Sequence, residues 1–468
     1  MLTTMPKQLK KVRQYVVATL VSFGALCAGS VLAWTAPALP QILIPEFVNA
    51  STHENITGAP GFRISEQEGA LVGSMLTIGA LVSALPVGIL ADKMGRRFAI
   101  LSLSFTFLLH WILIVFSCNV EMVVVGRFFA GMGLGGVCVV VPMYVGEIAE
   151  ASSRGILGAF FNLFLCGGML SACTIGAVSN WVGLSIALSL FPVIFGVSYF
   201  FIPETPSFLC EKNRLEEAED VLKDLRGENV DVQDELNQIQ KGIEESRENS
   251  SSFADIISNT GNIKAIVAVC GILAYQQLCG INAVVFYLGT IFKAAGSTLS
   301  PSIAGIIITS VQLVVSYLFT FIIERANRRF YLMSSSAGML LSLATLGMFF
   351  HLKNIGIDVT HIGFLPICST IVFVTMFSIG YGPIPWLLLG ELFSPEIKGF
   401  GSGIAVVINW IAAFLVTFFF PIINSSLGSH VAFYILTTIL ASATFFVYFF
   451  VPETRGKTLT EIQEELNK

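Results

Sequence analysis

The residues Gln276-Gln277-Leu278-Cys279-Gly280-Ile281-Asn282 lie in the middle of an apolar stretch long enough to cross a membrane. A bilayer penalises polar side chains that lack partners, so amides at this depth have work to do. Two glutamines and an asparagine offer donors and acceptors without charge, which suits a ligand made of hydroxyl groups. On an unbroken helix Asn282 points roughly 140° away from Gln277. Gly280, between them, permits a local unwinding that would bring both amides to one face. The competing reading is that these amides join helix to helix.

Such a cluster needs a membrane scaffold, and the chain has the composition for one. Of its 468 residues, 54% are hydrophobic and 12% charged, about half the usual charged share. Apolar stretches of roughly 18–25 residues recur along the chain. We read twelve, centred near Phe23, Ile78, Leu108, Gly131, Cys166, Ile194, Ala274, Val311, Leu341, Val374, Ala412 and Phe445. Short alternating segments, the mark of a β-barrel, are not the pattern. The expected fold class is therefore an all-α membrane protein with twelve transmembrane helices. Gly and Pro inside the stretches, as at Gly126 to Gly135 and Gly380 to Pro385, allow close approach and bending in a bundle.

Twelve spans put both termini on one side. In this topology Arg63, Lys293 and Lys353 fall in outer loops and Arg127 lies inside the fourth span, while the remaining lysines and arginines share the side of the termini. The positive-inside rule makes that side cytoplasmic. The net charge of −5 says little about partners, since the acids sit mostly beside those bases, and no nucleic-acid partner is expected. Lys7, Lys10, Lys11 and Arg13 precede a full-length first span without a small-residue cleavage pattern, so no signal peptide is expected. The expected location is a multi-pass position in the plasma membrane. Asn49-Ala50-Ser51 and Asn55-Ile56-Thr57 are glycosylation sequons in the outer loop after the first span, which makes Asn49 and Asn55 the candidate sites.

Nine cysteines are scattered, nearly all within spans, and none has metal-ligand spacing or suggests a disulfide framework. Core packing is the expected role of each. The histidines His53, His110, His351, His361 and His430 form no plausible catalytic set. No catalytic residue, metal site or cofactor is expected, and the chain does not read as an enzyme.

The polar interval from Pro203 to Asn262 divides the spans into six and six. It contains an amphipathic helical pattern from Leu215 to Lys223. The two sets echo each other. Asp92-Lys93-Met94-Gly95-Arg96-Arg97 follows the second span and Glu324-Arg325-Ala326-Asn327-Arg328-Arg329 the eighth. Glu147 is followed by Arg154, and Glu391 by Lys398, at the same spacing; Pro203-Glu204-Thr205 ends the sixth span and Pro452-Glu453-Thr454 the twelfth. Landmarks matched in order indicate duplication into two pseudo-symmetric six-helix halves. The expected organisation is an N-terminal half over 1–202, a cytoplasmic helical linker over 203–261, a C-terminal half over 262–451 and a tail over 452–468. The repeated acids contribute little to topology. Together with their bases (Asp92, Arg96, Arg97, Glu147, Arg154, Glu204, Glu324, Arg325, Arg328, Glu391, Lys398 and Glu453) they suit a latch of partly buried ion pairs that changes with conformation.

These residues, in this order, resemble the sugar porter family of the major facilitator superfamily over nearly the whole chain. The matching segments include Gly126-Arg127, Pro142-Met143-Tyr144-Val145-Gly146-Glu147, Arg154-Gly155, Pro203-Glu204-Thr205-Pro206 and Gln276-Gln277 through Phe286-Tyr287. They continue with Gly382-Pro383-Ile384-Pro385-Trp386, Asn409-Trp410 and Pro452-Glu453-Thr454. Within that family the chain is similar to facilitative glucose transporters and insect facilitated trehalose transporters. The resemblance implies the major facilitator fold and sugar contacts at Gln276, Gln277, Asn282 and Trp386, with Asn409 and Trp410 in or beside the site. It matches Gln312 to an amide position of the eighth span and Asn162 to one of the fifth. The indole of Trp386 would pack on the apolar face of a sugar ring while the amides take its hydroxyls. Departures stand beside the matches: Leu273-Ala274-Tyr275 replaces the Gln-Leu-Ser of glucose-selective carriers, Ser378 stands where many have an acid, and Asn327 interrupts the glycine of the second basic loop.

Proton-coupled members carry an aspartate in the first span, where this chain has Ala28-Gly29-Ser30-Val31-Leu32-Ala33-Trp34-Thr35-Ala36-Pro37 without an ionisable group. A proton coupler needs a titratable residue at membrane depth, and the pKa of Arg127 is too high to serve. The expected function is facilitated diffusion (uniport) of a sugar, glucose or another hexose or trehalose, by alternating access. A proton-coupled symporter stays open as an alternative. So does a non-transporting sugar receptor, although such proteins carry a long signalling tail and only Pro452 to Lys468 follows the last span here. The expected partners are a small-molecule sugar and the lipid bilayer.

Overall fold

A bilayer offers peptide groups no hydrogen-bond partner, so a chain crosses it as helices or as a closed barrel. The computed structural model takes the helical solution. It describes residues 12–43, 63–150, 153–227, 230–248, 260–295, 301–323, 325–393, 398–455, 457, 461–462 and 465–466. Asn49, Asn55 and Glu324 lie outside the described residues, as do the side chains of Arg154 and Lys398.

Among the described residues 12 helical stretches are long and apolar enough to span a membrane. In chain order, spans 1 to 6 are Val12–Ile42, Glu66–Met94, Arg96–Val115, Val120–Ile148, Gly155–Val178 and Trp181–Ser198. Spans 7 to 12 are Thr260–Gly289, Ser302–Thr320, Arg328–Asn354, Thr360–Leu389, Gly401–Leu427 and Ser429–Phe450. The protein is an all-α, multi-pass membrane protein. Side-chain caps start several helices: Ser65 and Glu68 form a reciprocal box at span 2, and Asn119 accepts from the Met122 amide at span 4.

Lipid tails are as apolar as leucine, so apolar burial does not drive these helices together; close packing and interhelical hydrogen bonds do. Exposed Phe105, Leu341, Phe445 and Phe449 are at home in that solvent. Spans 2 and 4 approach so closely that a Cβ on Gly131 would lie 2.0 Å from the Leu76 carbonyl oxygen. Spans 1 and 5 and spans 9 and 12 are further close pairs. The first six spans meet the last six through span 2 against span 11 and span 5 against span 8. They meet again where the helix Thr35–Ile42 packs on Ile281–Ala295.

Three short helices, Pro206–Glu211, Leu215–Arg226 and Gln233–Glu248, connect the two sets. They share a small core of Leu209, Ala218, Leu222, Val232 and Leu236. Arg226 ties them to span 4: Nη1 donates to the Ile148 carbonyl at 2.8 Å, while Nε and Nη2 hold Glu235 at 3.0 and 2.6 Å. The side of the molecule that carries these helices is called the linker face below. The amphipathic pattern of Leu215 to Lys223 lies on the middle linker helix, with Ala218 and Leu222 buried.

Not every cysteine packs in a core: Cys118 and Cys368 are exposed. Cys118 ends the turn after span 3, and the position of Cys368 on span 10 faces outward, so apolar character in sequence did not translate into burial at either.

Candidate functional site

Span 7 breaks where the amides are. The helix Thr260–Leu278 ends, Gly280 takes φ +92°, and a new helix runs Ile281–Ala295. That backbone is open to glycine and strained for other residues. The turn brings Asn282 back over Gln277, and Asn282 Nδ2 donates to Gln277 Oε1 at 2.6 Å. From there the bonds run inward. Gln277 Nε2 donates to Asn409 Oδ1 at 3.2 Å, and Asn409 Nδ2 donates to Gln276 Oε1 at 3.0 Å and to the Leu273 carbonyl at 2.8 Å. Gln276 Nε2 closes the series on the Tyr381 and Gly382 carbonyls at 2.7 and 3.0 Å. Those two carbonyls are free because span 10 is itself interrupted, between Leu365–Ile379 and Ile384–Leu392.

An amide side chain has two N–H donors and one carbonyl. Gln276 and Asn409 spend both donors and the acceptor inside the series, and both are buried. They hold spans 7, 10 and 11 together. Asn282 spends one donor and is half-buried, so its Oδ1 and second N–H are open. Gln277 keeps one N–H. The free hydrogen-bonding capacity thus sits at the Asn282 end.

The other sequence candidates stand apart from this series. Gln312 is buried in span 8, and its Oε1 has no hydrogen-bond partner among the described residues. Asn162 is half-buried on span 5. Trp386 is 37% exposed and lies just after the break in span 10, whereas Trp410 is buried in the core. None of these four hydrogen-bonds to the amide series among the described residues.

Two features escaped sequence reasoning. The Tyr381 and Gly382 carbonyls are partners of Gln276; the Gly380 to Pro383 break was the signal, since it had to free backbone acceptors. The second is what holds Arg127, fully buried in span 4. Its Nε donates to the Val72 carbonyl at 3.1 Å and its Nη1 to the Val31 carbonyl at 2.6 Å, and its guanidinium lies 5.6 Å from the Trp34 ring centre. Backbone carbonyls and an indole face, from spans 1 and 2, meet a charge that has no acidic partner among the described residues. His110, fully buried, has Nδ1 2.9 Å from the Gly126 carbonyl.

At the linker face the helix-end charges form two matching sets. Arg96 pairs with Glu147 at 3.0 Å, and more loosely with Asp92 and Glu211 at 3.5 Å each. Glu204 accepts from the Arg96 and Arg97 amides at 3.0 and 3.2 Å, capping the first turn of span 3 from the segment after span 6. Arg97 Nε donates to the Tyr199 carbonyl at 2.8 Å. In the second set Arg328 pairs with Glu391 at 3.3 Å, Glu453 accepts from the Arg328 and Arg329 amides at 3.0 and 3.2 Å, and Arg329 Nη2 donates to the Tyr448 carbonyl at 2.5 Å. Arg325 is exposed. Each of these pairs lies within one set of six spans or its adjoining segments. Burial pushes the Glu204 carboxyl above its ordinary pKa, against the pull of the amides it accepts from.

Residues 17–466 match the family model described as sugar (and other) transporter. The chain belongs to that family. It is 36% identical over 455 residues to the facilitated trehalose transporter Tret1 of Polypedilum vanderplanki, covering 97% of this chain and 88% of that one. It is 36% identical over 454 residues to the Tret1 of Anopheles gambiae, covering 97% of this chain and 56% of that one. The chain thus spans about half the length of some relatives it matches. Among solved structures, the inward open conformation of the xylose transporter XylE from E. coli superposes with TM-score 0.77 at 22% identity, covering 96% and 98% of the two chains. XylE bound to 6-bromo-6-deoxy-D-glucose, a proton:xylose symporter, gives 0.75 at 21% identity, covering 98% of this chain and 100% of that one. The sugar transporter family and the major facilitator fold agree with the resemblance read from the sequence, and the chain is not an enzyme.

Proposed function

We propose that this chain carries a sugar, glucose or another hexose or trehalose, across a membrane by facilitated diffusion. The observation that carries the reading is the amide series. Its buried end is saturated, its Asn282 end is open, and it is built on breaks in spans 7 and 10 at membrane depth. Uncharged donors and acceptors recognise hydroxyls without needing a counter-ion. Asn282, Gln277 and Gln312 are the proposed first contacts, with Trp386 stacking on the ring, Asn162 reaching from span 5, and Gln276, Asn409 and Trp410 supporting them. The relatives named as trehalose transporters support the substrate class.

The cycle alternates access between halves 1–202 and 262–451, with 203–261 as linker and 452–468 as tail. Packing of Thr35–Ile42 on Ile281–Ala295 closes the face opposite the linker. At the linker face a Cβ on Gly146 would meet nothing within 4 Å among the described residues, in keeping with an opening there. On this reading the helix-end charges are a latch. Glu147 and Glu391, held by Arg96 and Arg328 in this state, exchange partners when the linker face closes, and Arg154 and Lys398 supply cations for that exchange. Both termini are cytoplasmic, the carrier sits in the plasma membrane, and Asn49 and Asn55 carry glycans outside.

The partners of Arg127 support uniport: both are backbone carbonyls, which do not titrate and so supply no proton-carrying group beside the buried charge. Uptake into liposomes tests this. An inward gradient of two pH units offers a symporter about 2.7 kcal/mol per proton, near a hundredfold accumulation. Sugar should equilibrate without accumulating. Accumulation abolished by a protonophore would overturn uniport in favour of symport. Specific sugar binding without any flux would identify a receptor.

A further inference from the structure

On the face opposite the linker, span 9 ends and span 12 begins side by side. His351, in the last turn of Arg328–Asn354, and His430, in the first turn of Ser429–Phe450, place their rings 5.3 Å apart at 83°. Both side chains are half-buried, and His351 Nδ1 is enclosed without a hydrogen-bond partner among the described residues. Tyr434, one turn beyond His430, has its ring 6.1 Å from that of His351 and its hydroxyl 4.0 Å from Met348 Sδ. Below them Phe350 stacks on Phe433 at 5.5 Å and 13°, which holds the two helices in register.

We propose that His351 and His430 bind a divalent transition-metal ion from the outer solution. Metal–nitrogen bonds of about 2.0–2.1 Å at a near-tetrahedral angle put two imidazole centres roughly 5 Å apart, close to the 5.3 Å between the ring centres here. Imidazole suits Zn2+, Ni2+ and Cu2+. Met348 lies three residues before His351 on the same helix face and offers a soft thioether beside the pair. Water completes the coordination, since both rings are partly exposed. The donors come from separate helices that are already packed together, so binding does not have to order them first. Both helices belong to the last six spans. A bound ion therefore bridges spans 9 and 12 without tying the two halves of the carrier to each other.

The test uses the purified full chain and chloride salts of Zn2+, Ni2+ and Cu2+. Zn2+ should raise the unfolding temperature saturably. His351→Gln and His430→Gln should each weaken the apparent Kd at least about tenfold, and sugar uptake at saturating Zn2+ should stay within roughly twofold of the metal-free rate. Copper bound to the unaltered chain should show nitrogen couplings from two imidazoles in its paramagnetic resonance spectrum, a readout that needs no variant to fold. The proposal is overturned if Zn2+ gives no saturable shift, or if the shift survives both substitutions and thus arises elsewhere, as at the exposed thiols Cys118 and Cys368. A copper spectrum with fewer than two nitrogens overturns it equally.

Discussion

Asn409→Ala and Asn282→Ala should fail in different ways, although both remove an amide of the same series. Asn409 makes three bonds: it accepts from Gln277 Nε2 and donates to Gln276 Oε1 and the Leu273 carbonyl. Its removal takes a partner from each of these three groups, all of them on buried residues. Interhelical bonds in membranes average about 0.6 kcal/mol, whereas each buried orphan costs about 1–3 kcal/mol. The Leu273 carbonyl keeps its bond within the helix Thr260–Leu278, so two side-chain groups are orphaned and the expected loss is about 2–6 kcal/mol of stability. Asn282 makes one bond, and its half-buried position lets water replace it. Its loss should change stability by less than about 1 kcal/mol. Sugar transport should respond in the reverse order. A lost bond to a neutral hydroxyl costs about 0.5–1.5 kcal/mol, a two- to roughly tenfold rise in KM. Thermal unfolding in detergent, followed by chromatography of the folded fraction, reads the first quantity, and initial uptake rates in liposomes read the second. If Asn409→Ala unfolds at the temperature of the unaltered protein, the saturated end of the series does not hold spans 7, 10 and 11. If Asn282→Ala keeps a normal KM, the open end is not where sugar binds.

The raised pKa of Glu204 makes stability depend on pH. The folded state holds this proton more tightly than the unfolded one. Its contribution is therefore fully present below the ordinary glutamate range and is lost as pH rises through the raised folded value. Unfolding temperature measured between about pH 4 and 8 should fall with pH more steeply in the unaltered protein than in Glu204→Gln; equal slopes would remove Glu204 as the cause. Gly289 meets the Ala36 carbonyl oxygen, 2.7 Å from where a Cβ would stand, and Pro40. Gly289→Trp should hold the face opposite the linker open, and Glu391→Ala should shift the balance of states in a milder way. Cysteine-accessibility labelling at the two faces would read both, and unchanged labelling in Glu391→Ala would return that residue to simple anchoring.

Much of this was legible because membrane solvent simplifies the code. Twelve apolar runs became twelve spans, since a run of that length crosses lipid as a helix, which satisfies its backbone within the segment. The return of Asn282 to Gln277 followed from one glycine, because few residues but glycine reverse a helix so sharply. The saturated partners were less visible. Nothing local to Gln276 names the Tyr381 carbonyl, which becomes available through a break in a helix more than a hundred positions away. Arg127 was similar: the sequence announced an unpaired charge, but a carbonyl of Val31 or Val72 carries no side-chain signature. The repeated acids revealed the matching of the two sets. They did not reveal that Glu204 and Glu453 would spend their oxygens on backbone amides rather than on side-chain cations alone.

The seat of Arg127 has an electrical consequence. A membrane potential does work of about 2.3 kcal/mol per 100 mV on a unit charge that crosses the whole field. This guanidinium is bound to the backbone of spans 1 and 2 and rides with them as one body. When that body tilts, the charge travels a small fraction of the field, and a neutral sugar adds none. Turnover of such a carrier should therefore run at nearly the same rate in polarised and depolarised cells.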